Sequence, residues 1–354
     1  MREEILKQAY RASHGLEVNR RDAEHVRKLL KCEGLLDVSL KAVKAGDKVI
    51  FPVTDVERAK SILADLNIAR IGVFHFPVEE RRPRNLKEAL AGILSEEKLS
   101  LLPSSYDIVG DIAIIQLRPE IEQISKEIAM GIMKINPSIK VVLGEMGRIS
   151  GIYRLPSLIH LSGEDRTWTI HRENSCVFEL DVSKVYFSPR LSSERKRIFE
   201  QVGRHELVID MFAGIGPFSI EIARHRKAMV KAIELNPNAY EYLRRNIMLN
   251  RVDGLVEPIL GDAAEVVPKI NIVADRIIMN YPAGSLNYLK YAVKVLKKRG
   301  MIHIYGFSES LDGWIREVGR RLKQLGMNDY VVAGKLVREV APRRYNVVAD
   351  VLVM

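Results

Sequence analysis

Hydrophobic positions along this chain recur at two spacings, and the changes between them predict its elements. Within RDAEHVRKLLKC, Ala23, Val26, Leu29 and Leu30 repeat at helical spacing with basic residues on the other face. Val49, Ile50 and Phe51 form a short strand ending at Pro52. Thr54 and Glu57 have capping-box spacing, ahead of a helix with Val56, Ala59, Leu63 and Leu66 inward. A second apolar run, IGVFHF, follows at 71–76. These elements predict a small α/β domain over residues 1–76. The charged, proline-interrupted stretch that begins VEERRPRNLKEAL predicts a linker over 77–102.

A second unit starts at Pro103. SYDIVGDIAIIQL reads as a strand broken by a Gly110-Asp111 turn, and Ile121, Ile124, Ile128, Ile132 and Ile135 repeat at helical spacing. VVLGEM is a further strand, and the chain from Gly147 to Leu161 reads as a basic loop carrying Arg148 and Arg154. We place an α+β middle domain over 103–180. The region 181–354 alternates apolar strand-like runs at 207–212, 229–235, 256–262, 276–282 and 301–307 with helical patterns such as AYEYLRRNIMLN. That alternation predicts a parallel sheet with right-handed crossovers. Two last strands, in YVVAGKLVREV and YNVVADVLVM, form a hairpin that adds antiparallel strands at one edge.

Composition narrows the class of protein. The chain has 354 residues, 47% of them hydrophobic and 28% charged, enough for two or three folded domains and against disorder. Lys and Arg number 55 against 45 Asp and Glu, a net charge of +10 that favours a polyanionic partner. Cys32 and Cys176 are far apart and no C-x-x-C exists, so no zinc cluster is expected and both thiols are read as reduced. The N-terminal segment lacks a signal-peptide core, and no run approaches the roughly 18 apolar residues needed to span a bilayer. The expectation is a soluble cytoplasmic protein without a membrane partner.

The sharpest chemistry lies in Asp210-Met-Phe212-Ala-Gly214-Ile-Gly216-Pro-Phe, where a strand enters a glycine turn and then a helix. Glycines there let the backbone approach a ligand closely. Ser219 occupies the place of the third glycine in G-x-G-x-x-G, which weakens the case for a nicotinamide dehydrogenase. Glu234 ends the second strand, where a carboxylate can accept both ribose hydroxyls of an adenosine cofactor. Asp262 ends the third, where it can read an adenine edge. Asn280-Tyr281-Pro282 ends the fourth. Any one of these alone reads equally well as a polar residue solvating a strand end. Four in order, at successive carboxyl ends of an open α/β sheet, predict a converged ligand site.

This series resembles the class I S-adenosylmethionine-dependent methyltransferases, and its Asn-x-Pro resembles enzymes that methylate planar base nitrogens. A second block lies upstream: Gly151-Ile-Tyr-Arg154-Leu-Pro-Ser-Leu158, then Thr169-Ile-His171-Arg172-Glu173-Asn174, then Tyr186-Phe-Ser-Pro-Arg190-Leu-Ser192-Ser-Glu194-Arg195, with a helix starting at Ser192. Together with MFAGIGPF and the terminal Ala341-Pro-Arg-Arg-Tyr345, it is similar to the archaeal and eukaryotic tRNA (guanine-37 N1)-methyltransferases, the Trm5 family. The resemblance is dense from Pro103 to the C-terminus and weaker over the first 75 residues. It implies a Rossmann-like methyltransferase domain over 181–354, preceded by an α+β RNA-binding domain and a small N-terminal tRNA-recognition domain.

The resemblance further implies S-adenosylmethionine as cofactor, held by Asp210, Phe212, Gly214, Gly216, Glu234, Asp262, Asn280 and Pro282. Guanine N1 carries a proton and is a poor nucleophile, so its methylation needs a base and stabilisation of charge at O6. By family motif, Glu194 matches the base, Arg154 the group on O6, and Tyr186 and Asn280 the groups that fix the target base. Judged singly, Glu194 reads as a helix-dipole partner, Arg154 as a phosphate contact and Tyr186 as core. His160 and His171 are read as structural hydrogen-bonding groups. The fourth-strand motif departs from the family's usual Asn-Leu-Pro followed by a basic residue, being Asn280-Tyr281-Pro282-Ala283-Gly284. The implied partner is tRNA, gripped at the anticodon arm and checked at the elbow by a monomeric enzyme. Residues 283–354 hold 13 Lys and Arg against 6 Asp and Glu, which suits phosphate contacts. The alternatives are a wyosine-pathway aminocarboxypropyltransferase and a non-catalytic RNA-binding protein with the same fold.

Overall fold

The computed structural model describes residues 10–64, 68–78 and 83–354. The chain forms two compact units that divide between Pro83 and Arg84. In the first, an antiparallel sheet has β1 (Tyr10–Asn19) between β3 (Lys48–Pro52) and β4 (Ile68–Pro77), with β2 (Val43–Ala45) outside β3. Helices α1 (Ala23–Cys32) and α2 (Val56–Ile62) bring Val26, Leu30, Ala59 and Leu63 into a core with Leu16, Val18 and Phe51. Leu66 lies outside the described residues. The cap of α2 is Asp55 rather than Thr54. Asp55 has extended backbone angles that aim its carboxylate at the Arg58 N–H, 3.0 Å away, whereas Thr54 donates to the Leu35 carbonyl.

Residues 84–102 correct the predicted linker. They form two short helices, α3 (Leu86–Leu90) and α4 (Glu96–Ser100), within the second unit. Asn85 caps α3 by accepting from the Glu88 N–H at 2.9 Å, and Leu86, Ala89, Leu90 and Leu99 are buried with Ile121, Ile128 and Ile132. The charges that suggest a linker are the solvent faces of single amphipathic turns.

The middle sheet runs β5 (Asp107–Val109), β6 (Ile112–Leu117), β7 (Val141–Ser150) and β8 (Leu155–Gly163) in that order. β6 and β7 are parallel, and between them run α5 (Pro119–Glu122) and α6 (Ser125–Ile135), which carry most of the isoleucine repeat. The predicted loop over 147–161 is a β-hairpin instead. Its glycines and proline suggest irregularity, but Gly147 (φ 68°) sits at a register shift, Gly151 (φ 72°) and Arg154 (φ 57°) make the turn, and Pro156 is on the edge strand β8.

The third sheet has the order β13-β12-β11-β14-β15-β17-β16. Strands β11 (Leu207–Asp210), β12 (Met229–Glu234), β13 (Val256–Leu260), β14 (Ala274–Met279) and β15 (Leu296–Ser308) are parallel. β17 (Arg344–Val353) runs antiparallel between β15 and β16 (Tyr330–Ala341), so the predicted parallel sheet with an edge hairpin is present. Being covered on both faces, its strands alternate between two cores: Val208 and Ile278 face one, Ile209, Ile277 and Met279 the other. A hairpin of β9 (Trp168–Glu173) and β10 (Cys176–Asp181) contributes Cys176, Phe178 and Leu180 to the first of these cores. Val141 and Leu143 of the middle sheet join the same cluster. The packing is thus continuous across residues 180 and 181. Among the described residues no helix is long and apolar enough to cross a membrane.

Candidate active site

The site begins where β11 ends. Asp210 is fully buried, and its carboxylate accepts from the Ser219 hydroxyl at 2.7 Å and the Phe212 N–H at 3.4 Å. Burial pushes its carboxyl up to about 7, against the pull of those two donors. Asp210 therefore braces the turn from beneath instead of presenting its oxygens to a ligand. Ser219, in the place of a third glycine, is its partner on α7 (Pro217–Arg226). The two glycines of the turn serve different needs. Gly214 (φ 57°) has only the Tyr186 carbonyl, at 3.9 Å, near the place a Cβ would take, so its outer side is open. A Cβ on Gly216 (φ 90°) would stand 2.4 Å from Leu243 Cδ1, so this position is set by packing.

The next strand ends supply polar groups in sequence. Glu234, half-buried, accepts the Gly214 and Asn236 N–H groups, each at 2.7 Å, so it ties the turn to the end of β12. Burial raises its pKa above the ordinary value, opposed by these backbone donors. Asp262 caps α8 (Ala263–Val266) through the Ala264 N–H at 2.7 Å. Asn280 and Pro282 follow β14 and line a cleft together with Phe212, Gly214, Tyr186 and Arg154. The structure thus brings together most of the predicted set.

Arg154 reaches the cleft from the β7–β8 turn. Its guanidinium carbon is 5.7 Å from the Tyr186 ring centroid and 5.9 Å from that of Tyr281, so it lies by both rings. Tyr281 packs on Phe212 at 5.1 Å, and Tyr288 stands edge-on to Phe212 at 5.0 Å. Arg195, 2% exposed, donates to the Ser188 carbonyl, lies over Phe187 and pairs with Glu173 at 2.6 Å. Arg154, Tyr281 and Pro282 also wall an adjoining groove of about 1070 Å³, open enough for a nucleotide.

Glu194 is placed differently from the expectation of a cleft-wall base. It is 1% exposed and lies one layer behind, where Phe218 of the cleft packs on Tyr305 and the Tyr305 hydroxyl donates to Glu194 at 2.8 Å. Arg197 grips the same carboxylate with two N–H groups at 2.7 and 2.9 Å. The two histidines are structural, as expected: His171 Nδ1 accepts the Gly110 N–H, and His160 meets the Glu164 carbonyl.

Sequence reasoning missed two cleft residues from the terminal hairpin. Asn346 Oδ1 and Arg338 Nε are buried at the cleft without a partner among the described residues. Only their nearness to the Ala341…Tyr345 block could have pointed to them. Buried polar atoms normally find partners, so orphans at a cleft mark a place for a ligand. With the open side of Gly214 and the second lone pairs of Glu234, these groups fit an adenosine-bearing cofactor and a polar base.

Comparison with known proteins finds matches along most of the chain. Residues 169–331 match the TRM5/TYW2 methyltransferase domain, 86–167 the TYW2 N-terminal domain, and 15–61 the tRNA methyltransferase 5 N-terminal domain. The chain is 39% identical over 334 residues to tRNA (guanine(37)-N(1))-methyltransferase Trm5b of Pyrococcus abyssi, covering 93% of this chain and 96% of that one. The solved complex of aTrm5 with tRNALeu superposes with a TM-score of 0.81 at 33% identity, covering 96% of this chain and 99% of that one. A tRNA(Phe) (4-demethylwyosine(37)-C(7)) aminocarboxypropyltransferase of Methanocaldococcus jannaschii is 35% identical over 69% of this chain and 96% of its own.

Proposed function

Because this chain belongs to the Trm5 family of tRNA methyltransferases, we propose that it methylates N1 of guanosine 37 in the tRNA anticodon loop. The observation that carries this reading is the meeting of Arg154, Tyr186 and Asn280 at the same cleft as the open glycine turn. S-adenosylmethionine, the family's cofactor, supplies a methyl group made electron-poor by its sulfonium. Glu234 is suited to its ribose hydroxyls, Gly214 and Gly216 to the close turn, and Phe212, Asp262 and Pro282 to the adenine end.

On the base, Arg154 donates to O6, where negative charge grows as the N1 proton leaves. Its position by Tyr186 and Tyr281 pre-orders the guanidinium. Asn280 fixes the base edge and Tyr186 its plane, so much of the rate comes from positioning. Glu194 receives the N1 proton. The hydrogen bond it accepts from Tyr305 must yield for it to reach the cleft, in keeping with catalytic contacts that tighten only with substrate bound.

The polyanion is tRNA, whose phosphates suit the net +10 charge. The first unit reads the elbow and the second the anticodon arm, in a monomer acting in the cytoplasm. Removing residues 1–83 is expected to weaken tRNA binding, and unchanged affinity contradicts the elbow role. The function itself is tested by mass analysis of nucleosides from tRNA treated with enzyme and cofactor. The reading predicts 1-methylguanosine. An aminocarboxypropyl adduct would instead assign the chain to the other activity found among its relatives.

A further inference from the structure

Glu194 is one end of a largely buried chain of charged groups whose other members the chemistry above leaves without a task. Arg197 donates to Glu194 and, through Nη1 at 2.6 Å, to Asp350 on β17. Asp350 meets His303 Nδ1 of β15 at 2.6 Å. His303 Nε2 meets Arg276 Nη1 of β14 at 2.7 Å, and Arg276 pairs with Glu206 at 2.8 Å. A guanidinium only donates, so His303 Nε2 accepts and the ring proton is on Nδ1, donated to Asp350. Burial lowers the His303 pKa, opposed by Asp350, which suits that neutral form. Against the effect of burial, His303 and Arg197 hold Asp350 below the usual carboxylate range.

The formal charges alternate from Glu206 through Arg276, neutral His303, Asp350 and Arg197 to Glu194. Tyr305 from β15 and Lys335 from β16, the latter at 3.6 Å, face the same carboxylate. Arg197 is the pivot, because one guanidinium serves two carboxylates. Its Nη2 faces both, at 2.7 Å from Glu194 and 3.3 Å from Asp350.

We propose that Arg197 and Asp350 are positioning residues that set the proton affinity of Glu194, Arg197 by holding its carboxylate ionised and Asp350 by competing for the same guanidinium. This rests on the reading of Glu194 as the group that takes the N1 proton. The two residues act in opposite directions. Without the Asp350 charge, Arg197 turns wholly to Glu194 and makes it a weaker proton acceptor. Without Arg197, a buried carboxylate loses its nearer counter-ion, keeps only the more distant Lys335, and favours the protonated form.

The test is the pH dependence of single-turnover methyl transfer to an unmodified tRNA transcript at saturating S-adenosylmethionine. The acid limb is expected to move to lower pH in Asp350→Asn and to higher pH in Arg197→Met, each by about one pH unit, or tenfold in rate on the limb. Arg197→Lys is expected to fall between wild type and Arg197→Met. It carries the test together with Asp350→Asn if thermal melting shows that Arg197→Met does not fold. A purely structural role lowers the plateau or the melting temperature and moves neither limb. Glu194→Gln is measured alongside. If Glu194→Gln loses the reaction while the limbs of the other variants coincide with wild type, the positioning proposal is overturned and the base stands. If Glu194→Gln keeps near-wild-type turnover, the base reading itself falls.

Discussion

The guanidinium of Arg154 lies 5.9 Å from the ring centroid of Tyr281. Tyr281 stands where the family motif usually has leucine, and a leucine there would offer no ring to the guanidinium. An exposed cation–π pair is worth about 0.5–1 kcal/mol. Tyr281→Leu is therefore expected to slow methyl transfer by roughly two- to fivefold while leaving cofactor affinity unchanged, as read by single-turnover rates and calorimetry. Arg154→Ala removes the group proposed to donate to O6 and is expected to cost on the order of a hundredfold or more. Equal effects of the two substitutions would contradict the assignment.

The glycine turn makes a paired prediction. Gly216→Ala puts a Cβ against Leu243, 2.4 Å away, at a positive φ, and is expected to lower the melting temperature. Gly214→Ala meets no such clash, so its main effect is expected on cofactor binding by calorimetry, with a smaller loss of stability from its φ of 57°. The reverse ranking would mean that the open side of Gly214 is not where the cofactor lies.

Ser219→Ala takes a hydroxyl from the fully buried Asp210. An unpaired buried acceptor costs about 1–3 kcal/mol, so a denaturant midpoint clearly below wild type is expected. Asp210→Asn, which keeps the shape and the need for no charge, is expected to cost less. An Asn variant worse than Ser219→Ala would show that Asp210 works as a charge.

How far the sequence could be read depended on range. The glycine turn, the strand-end acids and the parallel sheet are legible because their chemistry lies within one strand and the turn after it. Arg154 is legible only by motif, since its approach to Tyr281 joins turns more than a hundred residues apart. The orientation of side chains was less accessible. Nothing local says that Asp210 points beneath the turn to Ser219, or that Arg197 and Tyr305 enclose Glu194. Asn346 and Arg338 reach the cleft only because β17 inserts between β15 and β16. Helices α3 and α4 escaped because a single turn offers too few positions for a period to emerge beside Arg84, Lys87 and Glu88.

Stability should depend on pH through the Glu173–Glu221 pair. Burial and the neighbouring Glu173 raise the Glu221 pKa, and against burial His171 and Arg195 hold Glu173 low. A carboxyl with a raised pKa keeps its proton when the unfolded chain has lost it. The unfolded state then binds fewer protons, and stability falls as pH rises above about 4.5, the ordinary carboxyl range, toward the folded value. Glu173 acts in the opposite sense, contributing stability above that range that is lost as pH falls. Urea unfolding is expected to show Glu221→Gln losing less stability than wild type between neutral and mildly alkaline pH. Parallel slopes would contradict the assignment of the retained proton to Glu221.

The central claim is tested most directly by two tRNA transcripts that differ only at position 37, one with guanosine and one with adenosine, each incubated with enzyme and methyl-labelled S-adenosylmethionine. The account predicts label in 1-methylguanosine from the first transcript and at least a hundredfold less from the second, which lacks the O6 that Arg154 serves and the N1 proton that Glu194 takes. Comparable labelling of both, or label in any nucleoside other than that at position 37, would contradict it.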